Sequence, residues 1–112
     1  MEQIENLQKW VGKYYKANPQ DGEALSLYLQ KITGILFYLE TLRSEVHDKF
    51  QTKIFEQTTK HGVSVNRAEN EAHVEFPEMY QLRHIMTAGY RITDAIRTNI
   101  SYLKSEKQNS NQ

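Results

Sequence analysis

Four histidines, His47, His61, His73 and His84, are the residues of this chain best suited to ligate a metal. A di-metal helical bundle needs Glu-x-x-His on facing helices, and no glutamate here has a histidine three residues later. Glu69 and His73 share a helix face at four-residue spacing, where a surface pair is the ordinary outcome. His47 beside Asp48 belongs to a polar face, His61 to a helix end that suits a cation, and His84 can stack on Tyr80 one turn away. No metal and no cofactor is expected. Nothing matches HExxH, a phosphate-binding P-loop, a dinucleotide-binding glycine pattern or a nucleophile elbow. No serine or threonine stands in a triad context, so the chain is read as a protein without enzymatic activity.

The segment from Met79 to Lys107 offers a different chemistry. It carries Arg83, Arg91, Arg97, Lys104 and Lys107 against Asp94 and Glu106. Arg83, Thr87, Tyr90, Asp94 and Arg97 recur at three or four residues and form one polar helix stripe, with Arg91 at its edge. Guanidinium groups flanking an aromatic ring suit phosphate contact and base stacking. The competing reading is a solvated face whose arginines pair with acidic residues of a neighbour. Trp10, Tyr14 and Tyr15 with Lys9, Lys13 and Lys16 form a second aromatic and basic set. There the aromatics define the apolar face and the lysines extend around it, which is core packing.

Helices must position these groups. Ile4, Leu7, Trp10, Val11, Tyr14 and Tyr15 keep the spacing of one helix face over about Glu2 to Ala17. Asn18-Pro19-Gln20-Asp21-Gly22 breaks that helix, and Asn18 can cap a second one with Pro19 at its first position. In the second helix Leu25, Tyr28, Ile32, Ile35, Leu39, Leu42 and Val46 alternate steps of three and four, the period of a coiled-coil seam. Phe50 and Ile54 continue it in steps of four. Leu29, Leu36 and Phe37 widen the stripe, which predicts two neighbours there. No breaker intervenes until His61-Gly62, where glycine is a natural left-handed stop. Residues 63–76 are read as a short helical turn capped by Ser64 through Ala68 and Ala72, with a β-hairpin as the alternative. Pro77 opens the last helix with Glu78 in its first turn. Its apolar stripe is Leu82, Ile85, Met86, Ile92, Ile96, Ile100 and Leu103, with Gly89 and Ala95 permitting close approach.

The expected architecture is all-α: an elongated antiparallel helical hairpin with a shorter N-terminal helix alongside, in one domain over residues 1–107, and a disordered tail over 108–112. A compact chain of this size has a radius of gyration of about 13 Å, too small to enclose a rod of about 60 Å. The stretch around Val46 to Phe55 is therefore expected to lack intrachain cover. Leu42, Val46, Phe50 and Ile54 become the expected interface of a homo-oligomer, a dimer or higher.

The chain of 112 residues is too short for separate catalytic and binding domains. Its 14 basic and 14 acidic residues cancel, which excludes a global positive field drawing it to nucleic acid or an anionic membrane. With no cysteine, a disulfide framework, a thiolate zinc site and a Cys nucleophile are excluded. Neither a signal peptide nor a membrane span is legible. The expected setting is the cytoplasm, without membrane association.

Lys60-His61-Gly62, the Val63-Ser64-Val65 restart, Arg67-Ala68-Glu69 leading into Phe76-Pro77-Glu78, and the run from Ala95 to Glu106 carry one resemblance. Over roughly residues 25 to 107 the chain resembles small helical, "coil-containing" early proteins of bacteriophages. That likeness implies a phage or prophage origin and action inside a bacterial host, and it implies no activity and no site residue. The leading functional expectation is a non-enzymatic oligomeric binding protein that occupies a host or phage protein or other macromolecule. The alternative is an anti-defence sponge or nucleic-acid binder, holding a nucleotide or nucleic acid through Arg83, Thr87, Tyr90, Arg91 and Arg97.

Overall fold

The computed structural model describes residues 2–110. Those residues form four helices and no strand: α1 (Glu2–Lys16), α2 (Gly22–Lys60), α3 (Val65–Glu75) and α4 (Glu78–Ser110). The fold is the all-α hairpin read from the sequence, with α2 and α4 antiparallel and α1 packed beside them. It is a rod, 70 × 27 × 17 Å with a radius of gyration of 19.8 Å. Helix α4 continues through Ser110, past the expected end at Lys107. Positions 111 and 112 of the expected tail lie outside the described residues.

Helix α2 begins later than Asn18 and Pro19 suggest. Asp21 is its cap, with Oδ1 accepting from the Ala24 N–H at 3.1 Å. Asn18 instead closes the preceding turn, its Oδ1 accepting from the Gln20 N–H at 2.9 Å. An Asx side chain serves either a turn or a helix start, and here each of the two takes one task. At the other end Gly62 adopts φ +65° and the Val63 N–H returns to the Gln57 carbonyl at 3.0 Å, which stops the helix as the sequence suggests.

The main core lies between α1, α2 and α4. Leu7, Leu25, Ile32, Leu36, Leu39, Leu82, Met86 and Ile96 are buried there, with Tyr28, Ile35, Leu42 and Val46 packed against them. The buried polar side chain, Thr93, donates its hydroxyl to the Tyr90 carbonyl at 2.8 Å, so its own donor is not left open, whereas the buried Nδ1 of His47 has no hydrogen-bond partner among the described residues. Leu36 and Leu29 take the inward positions expected of them, whereas Phe37, one residue on from Leu36, is turned to solvent and 76% exposed. Each step along a helix rotates the side chain by about 100°, which carries Phe37 off the edge of the stripe. Tyr15 leaves the apolar face of α1 in the same way, and Ala95 is exposed rather than at a close contact.

The segment 63–76 is helical as expected, and its helix α3 runs past Ala72 to Glu75, about three turns. Ser64 caps α3 by accepting from the Arg67 N–H at 3.3 Å. The helix folds back along the last third of α2, burying Ala68 and Ala72 completely and covering Phe50. His73 meets Phe50 edge-on at 4.8 Å between ring centroids, in place of the surface pair with Glu69 that its spacing suggested. Lys53 bridges to Glu75 at 2.9 Å, and that carboxylate raises the Lys53 ammonium above its ordinary range. The stretch expected to lie bare, Val46 to Phe55, is thus covered in part from within the chain, and Phe55 at its end stays 63% exposed. Leu42 and Val46 pack on the main core, Phe50 is buried, and Ile54 is half-buried. The premise that placed an interface on these four residues does not hold, because a rod of this length folds a second short helix back over its own far end.

Candidate functional site

Helices α1 and α4 both run antiparallel to α2 and so lie side by side in the same direction. They are joined at one end, where Asn99 Nδ2 donates to Tyr14 Oη at 3.0 Å. Toward the other end a cleft of about 590 Å³ opens between them. Its floor and walls are Leu7, Val11, Gly12, Ile85, Ala88, Gly89 and Ile92; Gln8, Tyr15, His84 and Arg91 complete it.

The cause of the cleft is small side chains where the two helices face each other. A Cβ added at Gly12 would meet nothing within 4 Å. Gly89 is spent on another contact, since Leu36 fills the space where its side chain would stand. With Ala88 between them, little remains to close the gap, and the volume falls within the ordinary range of ligand sites. Arg91 supplies a permanent positive charge. His84 is held ring over ring on Tyr80, with 10° between the planes and 6.1 Å between centroids, as its spacing suggests. No carboxylate lines the cleft.

The five candidate ligand residues of α4 are not all gathered at the cleft. Arg91 lines the cleft, whereas Arg83, Thr87, Tyr90 and Arg97 do not. All five are exposed. Arg97 pairs with Asp94 at 3.3 Å on its own helix, and the Thr87 hydroxyl donates to the Arg83 carbonyl at 2.9 Å. Arg83 forms no ion pair among the described residues. On the α2 side Arg43 is bridged to Glu40 at 2.6 Å, which raises its already high pKa, with Tyr90 adding to the effect.

Of the aromatic and basic set of α1, Trp10 and Tyr14 pack against the core as their spacing suggests, whereas Tyr15 is exposed. Trp10 lies 6.0 Å from Tyr28, and Lys13 Nζ stands 4.2 Å from the Trp10 centroid with Lys9 and Lys31 further out. Among the described residues no group of three or more His, Asp or Glu is placed to hold a metal, and no helix is long and apolar enough to cross a membrane. In comparisons with known proteins no family model matches the chain, and no curated protein or solved structure matches it.

Proposed function

We propose that this chain is a non-enzymatic binding protein that seats an acidic amphipathic helix of a host or phage macromolecule in the cleft between α1 and α4. The observation that carries this is the pairing of an apolar trench with Arg91 and His84 and no opposing carboxylate. An apolar helix face fills such a trench in the manner of helix-in-groove recognition, and its flanking Asp or Glu meets Arg91. The resemblance to phage early proteins makes the cytoplasm of a bacterial host the setting for this role.

A labelled amphipathic peptide with glutamates flanking a leucine stripe tests the reading by fluorescence anisotropy. It is expected to bind better than the same peptide with lysines, and Ala88→Trp, at an exposed helix position, is expected to abolish binding by filling the trench. Arg91→Glu should reverse the preference between the two peptides. Equal affinity for Ala88→Trp and the unsubstituted protein would sink the proposal.

The second reading, nucleotide or nucleic-acid binding, is favoured by Arg83, whose guanidinium has no carboxylate partner among the described residues. Arg83→Glu with Arg97→Glu is expected to remove oligonucleotide and cyclic-nucleotide binding if that stripe is the site. Oligonucleotide affinity that falls steeply with salt would mark a tracked phosphate backbone. Affinity for both ligands unchanged by the two substitutions eliminates the stripe.

A further inference from the structure

Trp10, the one tryptophan of the chain, is surrounded by three ammonium groups. Lys13 Nζ stands 4.2 Å from the ring centroid, Lys31 Nζ 5.8 Å and Lys9 Nζ 5.9 Å. Two of these come from α1 and the third from α2, whose Tyr28 ring lies 6.0 Å from the indole. All three lysines are exposed, and none forms an ion pair among the described residues. Packing explains their hydrocarbon stems, which cover apolar surface around the half-buried indole. It does not explain the convergence of their charges. A ring has two faces, so two of the three cations share one, and an exposed cation–π contact is a weak attraction. Lys9 and Lys13 are also one helical turn apart, a spacing at which like charges destabilise a helix. Glu5, one turn before Lys9, is placed to neutralise it, yet no bridge forms between them.

We propose that Lys9, Lys13 and Lys31 form a site for a small polyphosphate, a di- or triphosphate chain either free or carried by a nucleoside. A lysine ammonium binds phosphate as a point charge on a flexible stem, so three stems anchored around one rigid ring can close on a short run of phosphoryl groups. The charge supports that class. A single carboxylate would leave two ammonium groups unmatched, whereas successive phosphoryl groups carry enough charge for all three. A nucleic-acid backbone is the poorer fit, because it is tracked by cations spread along a groove, and here they gather at one ring. None of the three lysines lines the cleft between α1 and α4 or belongs to the arginine stripe of α4, so the site stands whatever those two bind.

Trp10 reports on this site directly, since no other tryptophan contributes to the emission. Titration of the full chain with inorganic triphosphate, free of divalent cations, is expected to give a saturable change in Trp10 fluorescence with the same midpoint as the heat measured by calorimetry. Lys31→Gln should weaken binding about tenfold, and Lys31→Arg, which keeps the charge, should retain most of it. Lys9→Gln, Lys13→Gln and Lys31→Gln together should abolish it with helical circular dichroism unchanged, because all three side chains are exposed. Lys60→Gln, which removes the same charge at the far end of α2, should leave the affinity as it was. A nucleoside triphosphate is the second arm: affinity equal to that of the inorganic salt assigns recognition to the phosphate chain alone, and tighter binding means that the base is held as well. No change in Trp10 emission, binding that survives the triple substitution, an equal loss in Lys60→Gln, or a single-stranded oligonucleotide bound more tightly than triphosphate would each overturn the proposal.

Discussion

Phe50→Ala is expected to undock α3 while the rest of the rod stays folded. Phe50 is 7% exposed and lies apart from the cluster that holds α1, α2 and α4 together. Few other contacts attach α3: the two buried alanines are small, the Lys53–Glu75 bridge is partly exposed, and Arg67 with Glu71 pairs within α3 itself. Truncating a buried phenylalanine costs about 3–5 kcal/mol, whereas a bridge as accessible as Lys53–Glu75 offsets little of that. Local opening should therefore outrun global unfolding. Hydrogen exchange is the measurement: amides of Val65–Glu75 and of the last third of α2 should lose protection, and those around Ile32, Leu36, Met86 and Thr93 should keep theirs. Uniform loss along the chain, or protection retained in α3, would show that the two ends of the rod are one cooperative unit.

The same end of the molecule shows where sequence reading runs out. The long helix was legible because Leu25, Ile32 and Leu39 repeat at a period that no strand can use, and because Gly62 is free to take the left-handed conformation that ends it. What covers Phe50 was not legible. Residues 65–75 contain only Ala68 and Ala72 on the buried face, with Val65 and Val74 both exposed, and two alanines suffice only because a large ring on α2 fills the space between the helices. Alanine is ambiguous in sequence for that reason. Of the five candidate residues on α4, Arg91 is the one that lines the cleft. Periodicity assigned it to the edge of a polar stripe, correctly, but which side of α4 faces α1 depends on the tilt of α1 across α2. The small residues Gly12, Ala88 and Gly89 were the available clue to a gap, although Gly89 taken alone looks the same as a close contact. It is a close contact, with Leu36.

That contact supports the second large effect. Leu36→Ala removes a side chain 1% exposed at the meeting of α2 and α4 and is expected to cost about 2–5 kcal/mol. Gly89→Ala in the unsubstituted protein places a Cβ 2.6 Å from Leu36 Cδ2 and 3.4 Å from both Cδ1 and Cγ. The clash is with the terminal Cδ2 methyl, but Leu36 is 1% exposed and the core around it leaves the isobutyl group little room to swing away, so Leu36 or the helix must move, at about 1–3 kcal/mol. Against this stands a gain of about 1 kcal/mol from replacing glycine within a helix. The crowding wins, and Gly89→Ala is destabilising. In a Leu36→Ala background the crowding atoms are gone and only the gain remains, so the same substitution becomes stabilising. Urea unfolding of the two single variants and the double variant measures the coupling directly. A reversal of sign between the two backgrounds establishes that Gly89 is required by Leu36; an equal effect in both would mean that α4 approaches α2 for some other reason and that the glycine is incidental.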